Sequence, residues 1–275
     1  MTAASDALYE RALAGWPRPC EIHFIDTALG KAHVIVSGDP AAPPLLLVHG
    51  AGLNATLWAR QIGELSAHFR TYAVDLPGQT GRSARVRMPT RGAAMADWAA
   101  AVLDGLGVQQ TMVLGASLGG WVSLLFAAHY AARVSRLALL VPGGIVPAKI
   151  VGGLRLLLYA ALSGRRGYER LYRAMSYHDL DADTLDLLAT STQAQSLRTA
   201  IAPPRLADEV LRCVTMPTLI LVGVTDFFFP PEQVMARASR LLPDVSIRQL
   251  PESDHLLLRD QPERMMRELM AFLTS

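Results

Sequence analysis

The sequence predicts an α/β fold in which helices flank a mostly parallel central sheet. Apolar segments typical of buried strands alternate along the chain with amphipathic segments of helical period. Such alternation forms crossover units whose strands run parallel. The run Leu45–Val48 is apolar throughout, as expected for a strand covered on both faces. A chain of 275 residues is long enough for one large domain, or for a core with an insertion.

The first elements stand outside this alternation. Residues 6–16 have the pattern of a short amphipathic helix. Residues 21–27 and 31–37 alternate between polar and apolar side chains on either side of Leu29-Gly30, which predicts two antiparallel strands. We therefore expect a hairpin at the start of the sheet.

The alternating part of the chain predicts the remaining strands and helices of the core. Strands are expected at residues 45–48, 71–74, 112–116, 136–141, 217–222 and 245–250. Helices are expected at residues 56–68, 91–106, 118–130, 231–241 and 261–273. Because the strands after the hairpin are separated by helical segments, most of them should run parallel.

The exception to the alternation lies between Pro142 and Pro217, where helical patterns occur without a strand pattern. We predict a core formed by residues 1–143 and 206–275, with residues 144–205 inserted as a helical cap. The apolar side chains of this insertion are expected to cover a crevice in the core, and the pocket-facing candidates are Leu156, Leu157, Leu158 and Tyr159. The alternative is that they pack only against the core or a second subunit.

The insertion also carries a group of arginines, namely Arg155, Arg165, Arg166, Arg170 and Arg173. They could bind an anionic substrate. The favoured interpretation is a solvated helix face, because long charged side chains commonly lie on exposed helix surfaces.

The composition excludes several classes of protein. Hydrophobic residues make up 51% of the chain and charged residues 18%, which excludes disorder and favours an apolar pocket or interior. No apolar run reaches the roughly 18 residues of a transmembrane segment, and the first residues do not resemble an export signal. A net charge of +2 gives no reason to expect nucleic acid. Cys20 and Cys213 have neither metal-ligand nor redox spacing, which favours a reducing cytoplasm.

Residues 111–121 contain the candidate nucleophile. The segment changes from a buried strand through a turn of small residues into an amphipathic helix, and Ser117 lies in the turn. The pattern Gly115-x-Ser117-x-Gly119 is the nucleophile elbow, in which a strained backbone lifts the serine hydroxyl above the end of the sheet. A side chain at either glycine would meet the neighbouring strand or helix. The alternative is a serine with only a structural role in a glycine-rich turn.

A serine nucleophile needs a base that takes its proton, and the chain order serine, acid, histidine puts that base after residue 117. His129 falls in the helix that follows the turn, and His178 falls in the insertion. Only His255 follows a late predicted strand. We therefore select His255 as the base.

The base in turn needs an acid that orients it and stabilises its cation. Asp226 directly follows the predicted strand 217–222, at the sheet edge where crevice residues of open α/β sheets lie. Asp254 is the alternative, but a side chain adjacent to His255 in sequence would rarely reach its imidazole ring. Asp226 is the predicted acid.

The oxyanion formed on attack needs two donors aimed at the developing charge. One is expected from the backbone N–H of Leu118, at the start of a helix. The other is expected from Ala51, in the loop His49-Gly50-Ala51-Gly52. His49 precedes the turn in sequence, so a role in holding this loop is favoured over a catalytic one.

Together these residues resemble the α/β-hydrolase superfamily across nearly the whole chain. The matching segments are His49-Gly50-Ala51-Gly52, Asp75-Leu76-Pro77-Gly78 with Gly81 and Ser83, Gly115-Ala116-Ser117-Leu118-Gly119-Gly120, Asp226 and His255. Trp16-Pro17, the Trp98 helix and the small cap are similar to bacterial carboxylesterases that hydrolyse bulky aryl-propionate esters. The resemblance implies two cap helices over the Ser117 crevice, ester hydrolysis through an acyl-enzyme and no cofactor. The apolar side chains of the insertion predict a substrate with apolar or aryl groups, and no metal site is expected. A monomer or homodimer is expected.

Two departures from the family pattern stand out. Gln79-Thr80 replaces a segment that often carries histidine, and Ser253-Asp254 replaces a pair of small residues before His255. We expect the first departure to change how the loop is held and the second to affect local geometry. Lactonases, carbon–carbon bond hydrolases and cofactor-free perhydrolases share the serine set and stay open as alternatives, as does a non-catalytic ligand-binding protein. Ser117 argues against the dehalogenases and epoxide hydrolases that use aspartate.

Overall fold

The computed structural model describes residues 3–149, 164–195 and 202–275. Within these ranges, eight strands form one sheet: β1 (Cys20–Thr27), β2 (Gly30–Ser37), β3 (Pro44–Val48), β4 (Arg70–Val74), β5 (Thr111–Ala116), β6 (Val134–Leu140), β7 (Thr218–Gly223) and β8 (Val245–Leu250). Their order is β1-β2-β4-β3-β5-β6-β7-β8. The β1–β2 and β2–β4 pairs are antiparallel and all later pairs are parallel. The predicted fold class is confirmed.

Helices flank this sheet, and two more lie in the described part of residues 144–205, the predicted insertion. The core helices are α1 (Ala3–Ala14), α2 (Ala59–His68), α3 (Ala94–Gly105), α4 (Leu118–His129), α7 (Asp208–Arg212), α8 (Pro231–Leu241), α9 (Leu257–Asp260) and α10 (Pro262–Leu273). The insertion contributes α5 (residues 164–174) and α6 (Ala182–Gln193). Helix α6 begins where Asp181 accepts a hydrogen bond from the Thr184 N–H, a standard N-cap.

Both faces of the sheet are buried, which explains the unbroken apolar strands in the sequence. In β3, Leu46 and Val48 pack on one face with α3 and α4, while Leu45 and Leu47 pack on the other with α2 and α10. Because successive side chains of a strand point to opposite faces, a strand covered on both sides must be apolar at every position.

The predicted helix boundaries differ from the observed ones by up to three residues, as at α1 and α3, and two short helices are missed. The helix predicted at 56–68 begins as a 3₁₀ turn, Ala55–Trp58, before α2. Helices α7 and α9 are not predicted, because a helix of four or five residues is too short to have a hydrophobic period.

Several expectations about the insertion lie outside the described residues. They concern Arg155 and the pocket candidates Leu156, Leu157, Leu158 and Tyr159. None of the helices within residues 3–149, 164–195 and 202–275 is both long and apolar enough to span a bilayer.

Candidate active site

Ser117 lies between β5 and α4 in a conformation that few non-glycine residues adopt, with φ 52° and ψ −112°. The glycines around it are required by close approach. A Cβ at Gly115 would lie 2.7 Å from the Gly119 carbonyl oxygen, and a Cβ at Gly119 would lie 2.6 Å from the His49 carbonyl oxygen. The strand and helix can therefore turn sharply at Ser117 only because these positions lack side chains.

His255 joins Ser117 to Asp226. Its Nε2 lies 3.0 Å from Ser117 Oγ, and its Nδ1 lies 3.0 Å from each carboxylate oxygen of Asp226. A carboxylate can only accept hydrogen bonds, so Nδ1 carries the proton and Nε2 is left as an acceptor for the serine hydroxyl. Asp226 and His255 are both buried, which keeps water from competing for these bonds. The arrangement can take a proton from Ser117.

The loop after β7 holds the Asp226 carboxylate in place. Its Oδ1 also accepts the backbone N–H groups of Phe228 at 2.7 Å and Phe229 at 2.8 Å. The Phe228 ring packs edge-on against the His255 ring, with ring centroids 5.0 Å apart. The imidazole is thus held by the hydrogen bonds of its Nδ1 to Asp226 and by an aromatic ring packed against it.

Asp254, the alternative acid, holds the backbone instead of the imidazole ring. Its Oδ1 accepts the N–H groups of His255 at 2.6 Å and Phe227 at 2.8 Å, and its Oδ2 accepts the Thr225 hydroxyl at 2.7 Å. Asp254 therefore ties the loop that carries Asp226 to the loop that carries His255.

The two predicted oxyanion donors lie near Ser117. Gly50 and Ala51 line the same cavity as Ser117, and Leu118 directly follows it. Across the described ranges, neither the Ala51 N–H nor the Leu118 N–H donates to another backbone group. Both donors are therefore available to an oxygen atom bound at Ser117.

His49 holds the loop that contains Ala51. Its Nε2 accepts the Leu76 N–H at 2.9 Å, so its Nδ1 carries the proton and donates to the Gly50 carbonyl at 2.7 Å. Burial lowers the pKa of His49, which keeps the ring neutral. These bonds agree with the expected loop-holding role.

The Gln79-Thr80 departure also acts on this loop. Gln79 Oε1 accepts the Gly52 N–H at 2.8 Å, and the Thr80 hydroxyl donates to the Gly52 carbonyl at 2.9 Å. Thr192 of the insertion donates to the same carbonyl at 3.3 Å. A Cβ at Gly52 would lie 2.8 Å from Thr192 Oγ1, so helix α6 packs directly against the loop.

A mostly apolar cavity of about 240 Å³ opens at Ser117 and His255. The core contributes leucines, namely Leu53, Leu57, Leu256 and Leu258. Helices α5 and α6 and the turn after α5 contribute Tyr168, Leu171, Tyr172, Met175, Leu188 and Thr192. Burial raises the pKa of Tyr172 to about 12, so its hydroxyl stays neutral and pairs with the Thr192 hydroxyl. The cavity can hold a hydrophobic group beside the serine.

The described arginines of the insertion lie on its outer face. Arg166, Arg170 and Arg173 are exposed, and Arg165 forms ion pairs with Glu169 and Asp186. None of these arginines is among the described residues that line the cavity. They fit the solvated helix face.

One charged residue of the cavity is absent from the predicted site, namely Arg259 of α9. Its spacing from His255 could have identified it, because residues four apart lie on the same face of a helix. The spacing becomes informative only if the residues after His255 are helical, and α9 is too short for its sequence to show this.

Comparisons with known proteins place the chain among related hydrolases. A family model described as "Alpha/beta hydrolase family" matches residues 45–268. Carboxylesterase YbfK of Bacillus subtilis is 30% identical, over 96% of this chain and 92% of its own. Its crystal structure, at 27% identity, superposes with a TM-score of 0.89 over 99% of both chains. The crystal structure of naproxen esterase from Bacillus subtilis gives a TM-score of 0.90 at 27% identity and the same coverage.

Proposed function

Because the chain belongs to the α/β-hydrolase family, we propose that it is a serine hydrolase that cleaves carboxylic esters through an acyl-enzyme intermediate. The observation that carries this proposal is the continuous series of hydrogen bonds from Ser117 through His255 to Asp226. The relatives named as carboxylesterases support the same class of reaction.

In the proposed mechanism, His255 Nε2 takes the hydroxyl proton as Ser117 Oγ attacks the ester carbonyl carbon. The N–H groups of Ala51 and Leu118 bind the oxyanion, and Asp226 stabilises the imidazolium. The proton then passes from Nε2 to the leaving alcohol oxygen as the carbon–oxygen bond breaks. A water molecule, deprotonated by His255, hydrolyses the acyl-serine and restores the free enzyme.

The substrate that we propose has an apolar or aryl group, because leucine, methionine and tyrosine side chains dominate the cavity beside Ser117. Each methylene that moves from water into such a cavity contributes up to about 0.8 kcal/mol. The relative named naproxen esterase supports an aryl-bearing substrate.

We further propose that residues 144–205 form a helical cap that selects the substrate. The side chains of α5 and α6 that line the cavity support this, because they face Ser117 across it. The test is a variant in which a Gly/Ser linker replaces residues 150–200. If a folded variant keeps the wild-type preference along a series of 4-nitrophenyl esters of increasing acyl length, the insertion does not select the substrate.

Ser117→Ala tests the reaction itself. It should abolish turnover of an activated ester and covalent labelling by an organophosphonate, with an unchanged melting temperature, because the hydroxyl is the only nucleophile in the mechanism. His255→Ala should be nearly as damaging, since the members of such a set act as a unit.

A matched control separates this effect from the general loss of a histidine. His129 lies on α4, where its Nδ1 contacts the Leu125 carbonyl of the same helix at 3.0 Å. His129→Ala should therefore keep near-wild-type turnover. Substantial activity in Ser117→Ala together with absent labelling of the wild type would remove the serine mechanism.

A further inference from the structure

Arg259 brings a positive charge to a mostly apolar cavity. The side chain is half-buried and lines the same cavity as Ser117 and His255. Its Nε and Nη1 atoms are buried and have no hydrogen-bond partner in the part of the chain that the structure describes. Burial lowers the pKa of Arg259 to about 10, so the guanidinium is still a cation at neutral pH.

Two acidic side chains in the vicinity of Arg259, Asp181 and Asp260, are engaged elsewhere. Asp181, which acts on Arg259 only at longer range, pairs with Arg60 and caps α6 through Thr184. Asp260, the next residue, faces the opposite way, where it accepts the N–H groups of Tyr177 at 3.0 Å and Asp254 at 2.9 Å. Within the described residues, Arg259 therefore has no counter-ion.

Leaving the buried Nε–H and Nη1–H groups of a guanidinium without partners is unfavourable, because the lost hydration is not replaced. A bound anion would restore part of the missing hydrogen bonding. A carboxylate can accept two parallel N–H···O bonds along one edge of the guanidinium, from Nη2 together with either Nε or Nη1, and it matches its single positive charge. The leucine and methionine side chains on the rest of the wall would contact the apolar part of the same molecule.

We propose that Arg259 binds a carboxylate of the substrate, at a distance from the ester bond, so that the preferred substrates are esters with an apolar body and one free carboxylate. This inference rests on the proposed ester hydrolysis and specifies its substrate class. Arg259 is then a specificity residue that contacts the substrate without taking part in the bond-breaking steps.

The test compares esters that differ only in the carboxylate. The acyl arm pairs mono-4-nitrophenyl glutarate, adipate and suberate with the 4-nitrophenyl esters of the unbranched monocarboxylic acids of equal chain length. The alcohol arm pairs 4-carboxyphenyl butyrate with phenyl butyrate. In the wild type, kcat/KM should be higher for the carboxylate-bearing ester than for its neutral partner in either the acyl arm or the alcohol arm.

Arg259→Met removes the charge while keeping a side chain of similar length. Arg259→Lys keeps the charge but lacks the planar guanidinium group that can donate two parallel hydrogen bonds. Arg259→Met should lower the carboxylate-to-neutral ratio of kcat/KM by about 10- to 100-fold, as expected for a hydrogen bond between charged groups. Turnover of the neutral ester should change much less than turnover of its carboxylate-bearing counterpart, and Arg259→Lys should give an intermediate ratio. Arg170→Met is the matched control, because it removes the same charge from the exposed face of α5.

Binding without turnover keeps this inference separate from the proposed reaction. Titration calorimetry with adipate should detect binding to Ser117→Ala and none to the Ser117→Ala, Arg259→Met double variant. If the wild type cleaves neither ester of a pair, the proposed reaction fails while the adipate titration still decides the role of Arg259. An unchanged ratio in folded Arg259→Met, an equal loss on both esters, or equal adipate binding by both Ser117 variants overturns the inference.

Discussion

Asp226→Asn should remove most of the activity although it preserves the shape of the side chain. In the wild type, Oδ1 of Asp226 accepts the N–H groups of Phe228 and Phe229, while both carboxylate oxygens face His255 Nδ1. An amide nitrogen cannot accept a hydrogen bond. The oxygen of the new asparagine must therefore stay with the two backbone donors, and its NH₂ group must turn toward His255.

This orientation reverses the polarity of the imidazole. The NH₂ group donates to His255 Nδ1, so the proton of the neutral ring moves to Nε2, which then donates to Ser117 and cannot take its proton. A wrong tautomer of this kind costs roughly ten-thousandfold in kcat, or about 5.5 kcal/mol of activation free energy. KM should change little, because Asp226 is not among the described residues that line the cavity.

Asp254→Asn is the matched control, since it makes the same chemical change next to His255. The asparagine oxygen can keep the N–H groups of His255 and Phe227, and its NH₂ group can donate to the Thr225 hydroxyl, which is also an acceptor. We expect less than a tenfold loss, because the imidazole ring keeps its partner.

Initial rates on 4-nitrophenyl butyrate, with the pre-steady-state burst to isolate acylation, would measure both effects. The melting temperature of each variant would show that it is folded. The tautomer argument is refuted if folded Asp226→Asn keeps more than about 1% of the wild-type kcat, or if Asp254→Asn loses as much activity as Asp226→Asn.

Two further predictions concern the stability of the fold. Gly119→Ala should lower the free energy of unfolding by about 1–3 kcal/mol or more, since its Cβ would lie 2.6 Å from a backbone carbonyl oxygen. Gly63→Ala in α2, whose nearest contact would be 4.0 Å away, should be neutral or stabilising in the same urea titration. Hydrogen bonds from the Thr184 N–H and hydroxyl hold the pKa of Asp181 at about 2, below the ordinary 3.8, so this cap stabilises the fold above pH 3.8 and the effect is lost as the pH falls toward 2. The difference in melting temperature between wild type and Asp181→Ala should shrink over that window, and a difference that stays constant would contradict the assigned cap.

The sequence by itself determined the features that depend on local pattern. The sheet and its flanking helices follow from periodicity, because burial on one or two faces leaves a repeat in the order of apolar residues. The Ser117 turn follows from its glycines, which are needed wherever strand and helix approach this closely. The order serine, acid, histidine along the chain, together with positions after late predicted strands, was then enough to select His255 and Asp226. The carboxyl ends of parallel strands meet at one edge of the sheet, which brings such residues together.

Only the tertiary structure decided the partners of each side chain. Asp226 and Asp254 are both carboxylates near His255, and the folding of the two loops determines that one meets the imidazole ring while the other meets the backbone. The contact of Thr192 with Gly52 joins segments far apart in the chain, which no local pattern can indicate. The lack of partners for Nε and Nη1 of Arg259 among the described residues likewise depends on where the neighbouring carboxylates point. Such properties arise from contacts between distant segments, and a one-dimensional pattern records residue types and spacings but not those contacts.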